Sequence, residues 1–281
     1  MNQLGRKERA QIIGCIVEGN SIRATVRLTG FAKKTVARMA YELGEACQEF
    51  ADRVFVNLPC RRIQCDEIWS FVGCKNKNAT TEKREERSWG DCWTWVALDP
   101  DTKLIPGWYV GDRSASAAYS LLRPLQKRLA NRVQLTTDGH SAYLIAVEAV
   151  FSWVDLDFAQ LVKLYGDTGN EGRYSPGSFR GTEIKVRKGQ PDPSQISTSH
   201  VERSNLTLRM SSRRFTRLTN GFSKQFEAHK RAVALHFIHY NFCRVHQTLK
   251  TTPAIAAGLS KHVWSLRELV GLLDQPKELA A

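Results

Sequence analysis

The chain has 281 residues, 42% of them hydrophobic, which suits a large folded unit with a filled core and excludes a disordered chain. Its formal charge is +13 and its pI about 9.6, so a polyanionic partner is expected through counterion release and electrostatic steering; composition leaves DNA, RNA and an anionic membrane open. No apolar run approaches the roughly 18 residues of a spanning helix, and MNQLGRKERAQII lacks the apolar core of a secretory signal. A soluble, cytoplasmic protein is expected. The seven cysteines are scattered without a C-x-x-C pair, which argues for reduced thiols and against a disulfide framework or structural zinc.

The first fifty residues read as helical. RKERAQIIGCIVEG places Ile12, Ile13, Ile16 and Val17 on one face, GNS at 19–21 supplies a break and a cap, and IRATVRLTG stops at Gly30. A longer helix begins near AKKTVARMAYELG. Helix, glycine turn and basic helix together suit a small all-α helix-turn-helix unit over 1–56, with Lys33, Lys34, Thr35 and Arg38 reading DNA. A plain three-helix cap on the following domain is the competing reading.

NLPCRR at 57–62 marks a boundary, and RIQCDEIWSFVG then alternates as a strand. The charged stretch 74–90 is expected to be a solvated loop. DCWTWVALDPDTKLIPGWYVG predicts a hairpin about DPDTK, and SASAAYSLLRPLQKRLANR a helix kinked at Pro124. VQLTTDGHSAY predicts a short strand running into a turn and a helix cap. FSWVDLDFAQLVKLYG is ambiguous, with strand favoured at its start and end. Residues 166–198, rich in Gly, Pro, Ser and basic side chains, predict a long loop or a small hairpin inserted in the core. Helices follow from Ser199 and over roughly 222–245, with a helical tail over 256–281. The sum is an α/β protein whose core, over 60–255, is a mixed sheet flanked by helices.

Three acids stand out. Asp66 lies in the first core strand, Asp138 at the end of VQLTT, and Glu202 near the start of a helix otherwise rich in arginine. Strand ends of α/β sheets open onto a common crevice, so such acids can converge. Converging carboxylates in a basic protein suit hard divalent cations, two of which can clamp a phosphodiester. Each acid also has a structural reading. Asp138–Gly139 is a common turn pair. Alternation puts Asp66 and Glu67 on opposite faces without choosing between them. Ser199-x-x-Glu202 fits a capping box. Asn205 and Arg209, at i+3 and i+7, share the helical stripe of Glu202. Trp69, Trp93 and Trp95 read as core.

In order and spacing, CDEIWSFV, TTDGHSAY and HVERSNLTLR resemble the DDE transposases of bacterial insertion sequences, most closely the IS1 family. HYNFCRVHQTLKTTPA (239–254) looks like the end of the core in many such enzymes, so the resemblance covers roughly 60–255. It implies an RNase H-like core in which Asp66, Asp138 and Glu202 are catalytic and bind two Mg²⁺ ions, with Mn²⁺ able to substitute. It favours Asp66 over Glu67 and puts Arg209 where family members often carry a basic residue. IS1-type proteins often begin with a cysteine zinc finger, and the sequence shows none.

The function so implied is cleavage of DNA at the ends of a mobile element and joining of the 3′-OH ends to target DNA. Double-stranded DNA is the expected partner, a homodimer or larger assembly is expected on it, and the setting is the bacterial nucleoid. Arg203, Arg209, Arg213, Arg214 and Arg217 are expected at phosphates, with Lys185, Arg187 and Lys188 from the inserted segment. Asn205, His140, His200, Arg244 and His246 are candidates for places near the acids, with an ordinary structural role the favoured reading of each histidine. Two alternatives stand beside this reading: an RNase H-like nuclease without strand transfer, and an inactive relative that regulates through DNA binding.

Overall fold

The chain forms six strands: β1 Arg62–Val72, β2 Gly90–Leu98, β3 Gly107–Gly111, β4 Val133–Asp138, β5 Leu156–Gly166 and the largely exposed β6 Ser178–Lys188. They form one mixed sheet in the order β3-β2-β1-β4-β5-β6. β1, β2 and β3 pair antiparallel, β4 runs parallel to both β1 and β5, and β6 returns antiparallel on β5. The computed structural model describes residues 4–152, 156–166, 178–216 and 219–275. Ten α-helices surround the sheet among those residues: α1 Arg6–Val17, α2 Ile22–Thr29, α3 Lys33–Val54, α4 Thr81–Arg87, α5 Ala115–Arg128, α6 Ser141–Val150, α7 Ser199–Ser211, α8 Phe226–Phe242, α9 Pro253–Ala256 and α10 Leu266–Val270. This mixed sheet flanked by helices is consistent with an RNase H-like architecture.

The two faces of the sheet carry separate apolar clusters. Ile63 and Cys65 of β1, with Trp95 and Ala97 of β2, pack beneath α5, α6 and α8, and that cluster runs on without a break into Ile12, Val36, Leu43 and Phe50 of α1 and α3. Ile68, Val96 and Leu98 point the other way and pack with Val201 and Leu208 of α7 and Phe237 of α8. Each buried Val, Leu, Ile or Phe contributes about 1.5–3 kcal/mol.

The apolar stripe of α3 explains its length: Val36, Met39, Ala40, Leu43, Cys47, Phe50 and Ala51 recur at helical spacing. Gly44 sits in that stripe because a Cβ there would lie 2.3 Å from the Arg231 carbonyl oxygen on α8. Ahead of it, Ser21 Oγ caps α2 by accepting from Ala24 N (3.1 Å), and Gly30 ends the helix with φ +74°.

Several local expectations meet a different outcome. The charged stretch 74–90 folds into a short 3₁₀ turn and α4 instead of a loop. Thr80 Oγ1 caps α4, and Glu82 in its first turn with Arg84 and Arg87 in its last suit the helix dipole, so the helix forms while burying no residue. Phe151 and Ser152 precede β5 without joining it, so FSWV does not begin a strand at its first residues. The segment 166–198, expected as a long loop or a small hairpin of its own, instead supplies β6, which pairs along β5 as the edge strand of the main sheet, with 167–177 outside the described residues. Pro124 lies within α5. All seven cysteines are free, and no helix among the described residues is long and apolar enough to cross a membrane.

Candidate active site

Strand register builds the site. Cys65 pairs with Thr137 in the parallel β1/β4 ladder, so one residue further on Asp66 and Asp138 stand side by side. The ladder stops there while β1 continues to Val72, leaving its edge open beyond Asp66. Glu67, on the opposite face by simple alternation, can therefore also turn toward Asp138. Carboxylate oxygens of Asp66, Glu67 and Asp138 lie within 4.8 Å of one another. Asp138 serves the turn as well, since its Oδ1 accepts from His140 N (3.0 Å).

These acids differ in their partners. The Glu67 side chain is 1% exposed, and its Oε1 accepts from Arg113 Nε (2.9 Å) and Nη2 (2.6 Å) while Oε2 accepts from Tyr143 Oη (3.3 Å). Burial, then the charge of Asp138, raise its carboxyl, and the bonds from Arg113 oppose that rise. Asp66 has no cationic partner of this kind among the described residues. Burial first, then the charges of Glu67 and Asp138, push its carboxyl up to about 7. A carboxyl held near neutrality among other acids is arranged to exchange its proton for a cation.

Helix α7 is fastened to this face by two side-chain amides. Gln64 Oε1 accepts from the backbone N–H groups of His200 and Val201, both at 3.1 Å, and Asn205 Nδ2 donates to Asp66 Oδ2 at 2.8 Å. Asn205 Oδ1 is buried and has no hydrogen-bond partner among the described residues. Glu202, one turn earlier, is not part of the close cluster. Its Oε1 accepts from Lys163 Nζ on β5 (2.6 Å) and from Thr198 Oγ1. Burial alone would lower the Lys163 ammonium, but the Glu202 hydrogen bond and charge, with Asp66 adding, raise it. Lys163 thus pairs its positive charge with the Glu202 carboxylate within electrostatic reach of Asp66. The capping-box reading of Ser199 and Glu202 does not hold: Thr198 is the N-cap and its side chain makes no cap bond, the first-turn N–H groups of His200 and Val201 go to Gln64, and Ser199 Oγ bonds Ser197 Oγ (2.9 Å). Placing the cap one residue earlier puts Glu202 beyond the box position.

The basic residues expected at DNA are dispersed. Lys33, Lys34 and Arg38 are exposed on the first turns of α3 beside half-buried Thr35, and Arg38 lies 3.8 Å from Glu42. Arg203 and Arg213 are exposed and Arg209 is half-buried. Arg214 is largely enclosed, donates to Ser223 Oγ (2.8 Å), and is lowered to about 10 by burial. On β6, Lys185 lies 3.1 Å from Glu183, Arg187 Nε donates to Gln160 Oε1 (3.0 Å), and Lys188 is buried with Nζ on the Phe151 carbonyl (2.7 Å). Arg214 and Lys188 are thus engaged inside the protein. Arg217 lies outside the described residues. His140 Nδ1 accepts from Ala142 N (3.0 Å) as the cap of α6, and Trp95 is fully buried whereas Trp69 and Trp93 are half-buried. Of the residues expected near the acids, Asn205 touches Asp66, whereas His200, Arg244 and His246 line a separate cavity next to α7.

Sequence reasoning missed Glu67 as a cluster member, although its adjacency to Asp66 was visible. It also missed Arg113 and Lys163, for which no local pattern pointed to the site.

No protein-family model matches the chain, and no curated protein matches it in sequence. Solved structures similar to it include the Mos1 transposase paired-end complex with left transposon end, at 15% identity over 56% of this chain and 60% of that one, with a TM-score of 0.22. The Mos1 strand transfer complex matches at 12% identity over 99% of this chain and 81% of that one, with a TM-score of 0.34. The Mos1 mariner paired end complex with Mn matches at 14% identity over 56% and 60%, with a TM-score of 0.22. The chain spans about 60% of the length of the first of these relatives. Likeness at such TM-scores carries no argument about this chain, and none of these structures supports the IS1 family.

Proposed function

We propose that the chain is a metal-dependent DNA strand-cleaving and strand-joining enzyme, a DDE-type transposase of an insertion sequence. The observation that carries this reading is the convergence of Asp66 and Asp138 on neighbouring parallel strands, faced by α7 with Asn205 and Glu202, in a chain of charge +13. The donor types suit a hard divalent cation: carboxylate oxygens of Asp66, Glu67 and Asp138 lie within 4.8 Å of one another, and the amide of Asn205, whose Oδ1 has no partner among the described residues, bonds Asp66. Asp66 and Asp138 would hold the metal and Glu202 would complete the set, while Glu67 is committed to Arg113 and Tyr143. When bound, a pair of such ions activates the attacking oxygen and stabilises the leaving one, so the protein needs no nucleophile of its own.

The chain's own residues prepare that chemistry. Asn205 orients Asp66 through one carboxylate oxygen. Lys163 neutralises Glu202 when no cation does so. Arg113 holds Glu67 in place while stacking over the Trp93 ring at 4.5 Å. Arg203, Arg209 and Arg213 meet strand phosphates, and Lys33, Lys34, Thr35 and Arg38 read the terminal repeats as a helix-turn-helix. Mg²⁺ as the metal, IS1 membership and a dimer that pairs two element ends belong to the same reading.

The test is cleavage and joining of DNA carrying an element end, with Mg²⁺ present. Asp66→Asn, Asp138→Asn and Glu202→Gln should each abolish chemistry and leave DNA binding intact. Full activity in Glu202→Gln would remove Glu202 from the metal set. Cleavage without joining would assign a nuclease, and metal-independent binding without chemistry would assign a regulator.

A further inference from the structure

Helix α7 presents a second polar face. Glu202 and Asn205 address the acids, whereas His200, Arg203 and Ser204 line a cavity of about 310 Å³ on the neighbouring stripe. Lys103, from the turn between β2 and β3, with Arg244 and His246, from the segment after α8, supply other walls. Among the described residues, no Asp or Glu lines this cavity. The nearby carboxylates are otherwise engaged: Asp101 pairs with Arg62, and Asp99 accepts from Thr102 Oγ1 (2.7 Å) and Asp101 N (2.8 Å).

Lys103 Nζ donates to the Pro100 carbonyl and lies at hydrogen-bond distance, 3.3 Å, from His200 Nδ1, and burial lowers the Lys103 ammonium. Burial first, then the charges of Lys103 and Arg244, lower His246. Arg244 spends one N–H on Ser211 Oγ (2.9 Å) and has others to give. Ser204 is 4% exposed, and its Oγ has no hydrogen-bond partner among the described residues.

We propose that this cavity is a phosphate-binding site, separate from the carboxylate cluster, in which Lys103, Arg203 and Arg244 grip a phosphate group carried by a nucleic-acid strand or a free nucleotide. A tetrahedral oxyanion matches several cationic donors with no competing carboxylate among the lining residues, and Arg244 can bind it with two N–H groups. The cavity also has room for a sugar beside the phosphate. The proposal does not rest on the strand-cleaving reading, because phosphate recognition here uses none of the acids.

The experiment uses the full chain in EDTA, so the carboxylate cluster takes no part. Inorganic phosphate and adenosine monophosphate are titrated with ³¹P line-broadening as the readout, and a fluorescein-labelled single strand with anisotropy. Arg244→Gln and the exposed Arg203→Gln are compared with Lys261→Gln, which removes the same charge elsewhere. The first two variants should each weaken phosphate binding about tenfold, the loss of one charge-assisted hydrogen bond, while Lys261→Gln retains it. Arg203→Gln guards against misfolding in Arg244→Gln, and melting curves verify both. A matching loss in the anisotropy arm assigns a strand phosphate; a loss confined to the ³¹P arms assigns a free phosphate or nucleotide. No broadening in wild type, or equal broadening in all three variants, overturns the site.

Discussion

Asp66→Asn gives a direct measure of the electrostatic tension in the acid cluster. The substitution keeps the side chain's shape, and its amide oxygen can still accept from Asn205 Nδ2, which now lies 2.8 Å from Asp66 Oδ2. What it removes is the charge. Burial, with Glu67 and Asp138, raises the Asp66 carboxyl from 3.8 to about 7 in the folded protein. A raised folded value means that the contribution of Asp66 to stability is fully present below about pH 4 and is lost as pH rises through about 7. The shift is roughly three units, and at about 1.4 kcal/mol per unit the loss is on the order of 4 kcal/mol. In EDTA, Asp66→Asn should therefore match wild type near pH 4 and exceed it by on the order of 4 kcal/mol at about pH 8. Urea unfolding followed by tryptophan fluorescence measures both. Added Mg²⁺ should then stabilise wild type and not the variant, by about 2.7 kcal/mol at a hundredfold excess over the dissociation constant. A stability difference that stays constant from pH 4 to 8, or equal stabilisation of both proteins by Mg²⁺, refutes the reasoning.

Other perturbations test the supports of the site. Lys163→Met takes away the ammonium that competes for Glu202, so calorimetric Mg²⁺ affinity should rise about tenfold, equivalent to about 1.4 kcal/mol; an unchanged affinity would separate Glu202 from the metal. Arg113→Ala leaves Glu67 buried without its cation and should cost about 3 kcal/mol in chemical denaturation at neutral pH. Asn241→Ala strips the Ile105 N–H and C=O of partners now at 3.0 and 2.9 Å, and should lower the unfolding free energy by about 2–4 kcal/mol, seen as a reduced denaturation midpoint.

Local chemistry by itself determined much of the architecture. Alternation in RIQCDEIWSFVG and in the Trp/Val run fixes two strands, helical spacing from Val36 to Ala51 fixes the buried face of α3, and Ser21 with Gly30 delimits α2. The charge of +13 and the isolated acids at 66, 138 and 202 are likewise properties of the chain alone. The tertiary structure decided which of these residues meet. Asp66 and Asp138 are neighbours because β4 pairs with β1 across an intervening hairpin and α5, a long-range register that no local period encodes. Glu67 joins them because β1 outruns its partner, so that alternation no longer dictates where its side chain turns. Lys163 reaches Glu202 only once β5 and α7 lie over the same face. One helix, α7, then divides its polar residues between two places, with Glu202 and Asn205 toward the acids and His200, Arg203 and Ser204 toward the cationic cavity. Helical periodicity announces such stripes in the sequence, but what each stripe faces is set by docking on Gln64 and the β1–β2 core, through contacts more than a hundred residues apart.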